Sequence, residues 1–480
     1  MTQISCRLLI AIIDINTQFV NLGYPFGLPK KPLTEKLGRS IIPFAKAAIN
    51  NGFDAISKGV IRMTRLSSAI GFGITGVDFQ QRIDVARLRE ERAARARTAM
   101  KRHGVAAYLL TRGDNVRYVT GTRGPSFIPL LRYVLAFAEH DPIMFDQGAT
   151  LEHNRIHCPW IKPENWRLAR CSLGGSPGPA ATRAEAKKFA AEIKQELKTK
   201  GLEKEKLAVD GIEAPSREAL REEGIELVEA MPIMLEARTV KTEDEINCLK
   251  MSAALADVGW YRLYEEMKPG VRECDLAAAA MDAVTRAGAE NVIVIAAKSG
   301  PGTFEDYRGL NRTDRIIQPG DMVYVDVCGV SHLGYLTCYY RTFCVGRKPT
   351  DKEKDWYKRV HDWLDAVIDA IKPGATTADA AKHFPPASKW GYKSELHLLC
   401  SEIGHGLGLH LYEPPIINRL WSLEHPQPFE KGMVIAVEGR EGEPFVGGAR
   451  IEDMVVVTDT GAEIITRMPR DEIIVAHSFV

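Results

Sequence analysis

Apolar and polar positions along the chain follow two rhythms, one of short runs and one of helical spacing. Short apolar runs at Val105–Leu110, Tyr133–Phe137 and Leu207–Val209 read as strands, and Arg183–Leu197 has the spacing of a helix. Strands alternating with helices predict an α/β domain that ends near Leu235. The stretch from Glu236 then opens a long helix, in which Thr242 and Glu245 stand at capping-box spacing. Ahead of this, Ser40–Ile70 places apolar residues at mixed three and four spacing behind Gly23, Pro25, Gly27 and Pro29. Residues 1–77 therefore read as an accessory N-terminal extension, 78–235 as an N-terminal domain and 236–480 as a catalytic domain. The basic run from Arg87 to Arg97 predicts a solvated helix with i,i+4 Glu–Arg pairs.

The second half repeats itself. Lys268-Pro-Gly270 recurs as Lys372-Pro-Gly374, and Gly320-Asp-Met-Val-Tyr-Val-Asp326 recurs as Gly432-Met-Val-Ile-Ala-Val-Glu438. The offsets, 104 and 112 residues, are similar and the order is kept. Two related halves, each ending an apolar strand on a carboxylate, would deliver both acids to a shared seam.

Composition narrows the function. Lys+Arg is 63 against Asp+Glu 62, so no net charge draws the molecule to nucleic acid or anionic lipid. The apolar run Leu8–Ile13 is bounded by Arg7 and Asp14 and is too short to span a membrane. Nine scattered cysteines without a CxxC pair read as reduced thiols, which points to the cytoplasm.

Three acids carry the chemistry. Asp326 closes the run Met-Val-Tyr-Val, Glu438 does the same in the second half, and Glu452 precedes Asp-Met-Val-Val-Val. A carboxylate buried in such a setting must be paired or bound to metal. His405 sits between Gly404 and Gly406, which suits a metal-ligand imidazole that backbone and ligand approach closely.

With these residues in view, positions 236–475 resemble the pita-bread superfamily of prolidase, aminopeptidase P, methionine aminopeptidase and creatinase. The matching blocks are Pro319–Asp326, Gly334-Tyr335 with Arg341-Thr342, Gly404-His-Gly-Leu-Gly408, Gly432-Met-Val with Glu438, and Arg450-Ile-Glu-Asp453. Asn115-Val-Arg-Tyr-Val-Thr-Gly121 resembles the N-terminal domain of the creatinase–prolidase branch. The resemblance implies an α+β fold: a pita-bread domain of two pseudo-repeated α/β halves around a curved antiparallel sheet, behind a creatinase-like α/β domain. It implies a five-ligand site at Asp326, Cys338, His405, Glu438 and Glu452 for one or two divalent ions, which in such peptidases activate water. It also implies a homodimer acting on a small-molecule substrate.

The departures bear on mechanism. The bridging aspartate of Gly-Tyr-x-Ser-Asp-x-Thr-Arg-Thr is Cys338 here, a ligand suited to zinc or iron; without it manganese stays open. Cys328 lies two residues beyond Asp326 and shares its strand face. The substrate-facing histidine of His-Glu-x-Pro is Tyr412, with His410 two residues earlier, and Arg308 stands near the place of the upstream histidine. The expected function is a metal-dependent hydrolase for a small polar substrate, non-peptidic ones included, with His410, Tyr412 or Arg308 supplying proton or charge stabilisation. Three alternatives stay open: a C–S lyase of the dimethylsulfoniopropionate type, an ordinary Xaa-Pro peptidase, and a metal-free pseudoenzyme.

Overall fold

A computed structural model describes residues 83–124, 132–171, 173–304, 312–399 and 403–478. The chain divides after Val77, and every described residue belongs to the second unit, Asp78–Val480. The helical reading of Ser40–Ile70 lies outside the described residues.

The first sheet comprises β1 (Ala107–Leu110), β2 (Tyr133–Phe137), β3 (Ile143–Asp146), β4 (Trp166–Leu168), β5 (Leu207–Val209) and β6 (Leu227–Glu229). Their order is β4-β3-β2-β1-β5-β6, with β1 antiparallel to β2 and parallel to β5. The central strands are buried on both faces, which is why they read as unbroken apolar runs rather than alternations. One face receives Ala186, Phe189, Ile193 and Leu197 from the Pro179–Thr199 helix, spaced at three and four. The other receives Leu88, Ala96 and Met100 from the Val85–Arg102 helix.

That second helix contains the basic run, and its reading as a solvated face needs correction. Arg92 is buried and donates to Tyr335 Oη at 3.2 Å, while Arg87 grips the Asp244 carboxylate at 2.7 and 3.0 Å. These partners lie more than 150 residues away, so local spacing could not reveal them. The Glu243–Glu266 helix opens on the expected capping box, with the Thr242 side chain accepting from Glu245 N and Glu245 returning the bond.

The remaining strands are β7 (Val294–Ser299), β8 (Met322–His332), β9 (Tyr335–Val345), β10 (Ile403–Gly406), β11 (Glu413–Ile417), β12 (Val434–Glu443), β13 (Gly447–Val457), β14 (Ala462–Ile464) and β15 (Ile474–Ala476). They form a four-stranded sheet, β15-β9-β8-β7, and a five-stranded one, β11-β10-β12-β13-β14. Each centres on a long antiparallel hairpin, β8–β9 or β12–β13. The repeat is visible in the backbone: Gly320 and Gly432 both take φ +90°, and each donates its N–H to the last residue of the hairpin's second strand, Val345 O or Val457 O. Only glycine adopts that conformation without cost. Each hairpin is backed by one long helix, Glu243–Glu266 against β8 and Asp351–Ala370 against β12 and β13. The hairpins meet where Thr342 Oγ1 donates to Arg450 O at 2.7 Å and accepts from Arg450 N at 2.8 Å.

The three acids are not at strand ends. Asp326, Glu438 and Glu452 lie inside β8, β12 and β13, which run on past them. The glycine-bracketed histidine sits on β10. A Cβ at Gly406 would stand 2.2 Å from Pro414 O, so β11 packs there against bare backbone. No described helix is long and apolar enough to cross a membrane.

Candidate metal centre

Strand alternation decides which side chains meet. On β8, Asp326 and Cys328 project to one face; on β9, Cys338 and Tyr340 do so. The register sets Cys328 opposite Cys338, Asp326 opposite Tyr340 and, in the other hairpin, Glu438 opposite Glu452. β10 lies against β12 with His405 opposite Ala436. The outcome is two groups of ligand-type atoms, each mutually within 4.8 Å: Asp326, Cys328 and Cys338, then Cys338, His405 and Glu452. Cys338 belongs to both. Glu438 stands outside these two groups and accepts a 2.6 Å hydrogen bond from Tyr340 Oη. His405 Nε2 lies 3.8 Å from Glu452 Oε1, and its Nδ1 faces Gly406 O at 3.3 Å.

The electrostatics of this cluster are unfavourable as it stands. Burial, followed by the Glu452 charge, pushes the Glu438 carboxyl up to about 8. Burial does the same to Glu452, the nearby Cys338 thiol offsetting part of it, again to about 8. Asp326 is driven well above its ordinary value by burial and then by Glu452 and Glu438. The Cys338 thiol donates to Cys328 Sγ, and this bond together with burial raises it. Burial lowers His405, keeping the imidazole neutral and able to ligate. Asp326 Oδ1 and both Glu452 carboxyl oxygens are buried with no hydrogen-bond partner among the described residues. The Arg450 and Arg341 charges offset only part of this, and acids packed this closely with acceptor oxygens left over fit a bound cation.

A sign follows for pH. Carboxyls raised from near 4.5 to about 8 are protonated in the folded protein while still ionised in the unfolded one. The metal-free protein should therefore lose stability as pH rises through that window, Tm falling by roughly 5–10 °C, with saturating divalent cation reversing the trend. Thermal melts at several pH values, with and without chelator, check this.

Around the cluster, Tyr412 packs against His405 with ring centroids 4.5 Å apart and planes tilted by 39°, and it is 40% exposed. His410 is held by the backbone of Tyr412. Its Nδ1 lies 3.0 Å from Tyr412 O and 3.2 Å from Tyr412 N, and it lines a cleft of about 870 Å³ together with Leu336, Leu409, Arg112 and Arg117. Arg308 lies outside the described residues. Two features were not anticipated in the sequence. Tyr340 is one; its position two residues beyond Cys338 on the same strand face was the available signal. The other is a buried charge network, in which Arg238 donates to Asp114 Oδ2 and Asn115 Oδ1, and with Lys241 holds Glu413. Glu413 also accepts from His410 N at 3.1 Å, so the network fixes the segment bearing both His410 and Tyr412.

Known proteins share this arrangement of chain. The profile of Metallopeptidase family M24 matches residues 247–459, and that of the Creatinase/Prolidase N-terminal domain matches residues 92–240. A peptidase of Bacillus subtilis, YqhT, is 32% identical over 254 residues, covering 52% of this chain and 68% of the relative. The chain belongs to metallopeptidase family M24. This M24 protein is a hydrolase of the creatinase, prolidase and aminopeptidase P superfamily, with a pita-bread domain behind a creatinase-type N-terminal domain. It is also similar to the probable dipeptidase PepE of Mycobacterium tuberculosis, 28% identical over 402 residues, 81% of this chain and 96% of that one. The solved Xaa-Pro dipeptidase from Bacillus anthracis has the same fold, with TM-score 0.64 at 23% identity, covering 80% of this M24 chain and 99% of its own.

Proposed function

We propose that this protein is a metal-dependent hydrolase of small polar amides, dipeptide-like substrates among them, with its metal held by Asp326, Cys338, His405, Glu438 and Glu452. The observation that carries the reading is the set of buried, unpartnered carboxyl oxygens on Asp326 and Glu452 beside a neutral His405. When bound, one or two divalent ions would supply Lewis acidity and lower the pKa of water at the seam. Zinc or iron suits a set that includes Cys338.

The chain's own residues do the rest. Tyr340 holds one oxygen of Glu438, fixing that carboxylate's rotation. The Tyr412 ring packs at a tilt against His405 and leaves its exposed part to bound substrate. His410 borders the cleft with its Nδ1 against the Tyr412 backbone, and we assign it the role of proton donor to a leaving amine. Arg308 belongs to the same reading as a charge-stabilising group. A homodimer in a reducing cytoplasm is part of it, and the seven cysteines among the described residues are all unbridged.

Product analysis in ¹⁸O-labelled water is the test. Zinc- or iron-loaded protein incubated with Xaa-Pro and other dipeptides, and with small N-acyl amides, should yield acid products carrying one label. Products formed without label would replace hydrolysis by elimination. Absence of turnover across all of these with metal bound would leave the pseudoenzyme reading in its place.

A further inference from the structure

Cys328 has no place among the five ligand positions just described, yet the structure aims it at the same seam. It lies one strand repeat beyond Asp326 and opposite Cys338, immediately before the β8–β9 register shifts between Cys328 and Ser331. Cys328 and Cys338 are 4% and 6% exposed, and their sulfurs stand 3.7 Å apart. That separation is the thiol hydrogen-bond contact between them, and it is compatible with ligation of one ion by both sulfurs. Two thiolates bound to one tetrahedral zinc at ~2.3 Å each are held about 3.8 Å apart, the edge of the tetrahedron. A disulfide would need ~2.05 Å. The third member of the group, Asp326, brings a buried carboxyl oxygen with no hydrogen-bond partner among the described residues.

We infer that Cys328 is a metal ligand, and that Asp326, Cys328 and Cys338 form a thiophilic cation position that shares the Cys338 sulfur with the position at His405 and Glu452. The inference rests on reading the seam as a metal centre and deepens it by fixing the class of ion. Two thiolates and one carboxylate select zinc-class ions over manganese and magnesium, which favour oxygen donors. On binding, each thiol gives up its proton to solvent as its sulfur bonds the ion, so no oxidant or reductant takes part. Cys338, shared by both groups, is the point through which occupancy of one position would be felt at the other.

Cobalt(II) titration of chelator-stripped, full-length protein tests this without reference to activity. Thiolate–cobalt charge transfer in the near ultraviolet scales with the number of bound sulfurs, whereas the visible d–d bands report cobalt binding of any kind. The expected result is an intense near-ultraviolet band in the wild type that falls to about half in Cys328→Ser, with d–d bands retained. The same substitution should weaken Cd²⁺ binding by roughly tenfold or more while leaving Mn²⁺ binding little changed. Cys328→Ala, checked for folding by circular dichroism, should match Cys328→Ser. An unchanged charge-transfer band in folded variants, or d–d bands without any charge transfer in the wild type, overturns the assignment of Cys328 while leaving a metal centre in place. Absence of d–d bands at saturating cobalt overturns both.

Discussion

Replacing Glu452 by glutamine is expected to abolish the function of the centre and stabilise the metal-free protein. Glu452 is fully buried, with neither carboxyl oxygen hydrogen-bonded among the described residues, and its charge bears on Asp326 and Glu438. Glutamine keeps the shape and removes the repulsion. Metal affinity should fall by about 100-fold or more and hydrolysis by on the order of 10³-fold. Without metal at about pH 8, the variant should be more stable than the wild type by roughly 1–3 kcal/mol. Elemental analysis after dialysis, paired with thermal melts in chelator, reads both halves. A variant that retains metal, or that melts lower than wild type when stripped, contradicts the account of these acids as strained by function.

The opposite expectation holds for Arg238→Ala, which should produce the largest loss of stability, roughly 3–5 kcal/mol. Arg238 is 1% exposed and joins Asp114 and Asn115 of the first domain to Glu413 beside Tyr412. Its removal leaves Lys241 as the one cation on Glu413 among the described residues, and leaves Asp114 with the partly exposed Arg112. Because Glu413 also anchors the His410 backbone, kcat should fall in protein that remains folded, with metal content unchanged. Denaturant unfolding and metal-loaded turnover separate the two effects, and Arg238→Lys should recover part of the stability but little of the positioning.

Much of this was legible in the sequence because it is written in short-range pattern. The capping box at Thr242 and Glu245, the buried strands of the first domain and the duplicated glycine–acid run each depend on a few neighbouring residues. The acids were visible because a charge interrupting an apolar strand needs a reason. What the sequence hid was set by pairing across long separations. Strand lengths were underread because Asp326 and Glu452 looked like terminators, although their strands continue on either side. The arginines of the Val85–Arg102 helix looked solvated because Asp244 and Tyr335 are brought to them only by the fold. The Cys328–Cys338 pairing depended on the hairpin register, which the spacing of 12 between Asp326 and Cys338 did not determine.

The division of the centre between the two hairpins has one more consequence. The first supplies an aspartate and two thiols; the second, together with β10, supplies an imidazole and two glutamates. Only the position at His405 and Glu452 is divided, because it draws Cys338 from the first hairpin. That position therefore exists only while the two hairpins stay docked, and a chain carrying either one alone would lack it.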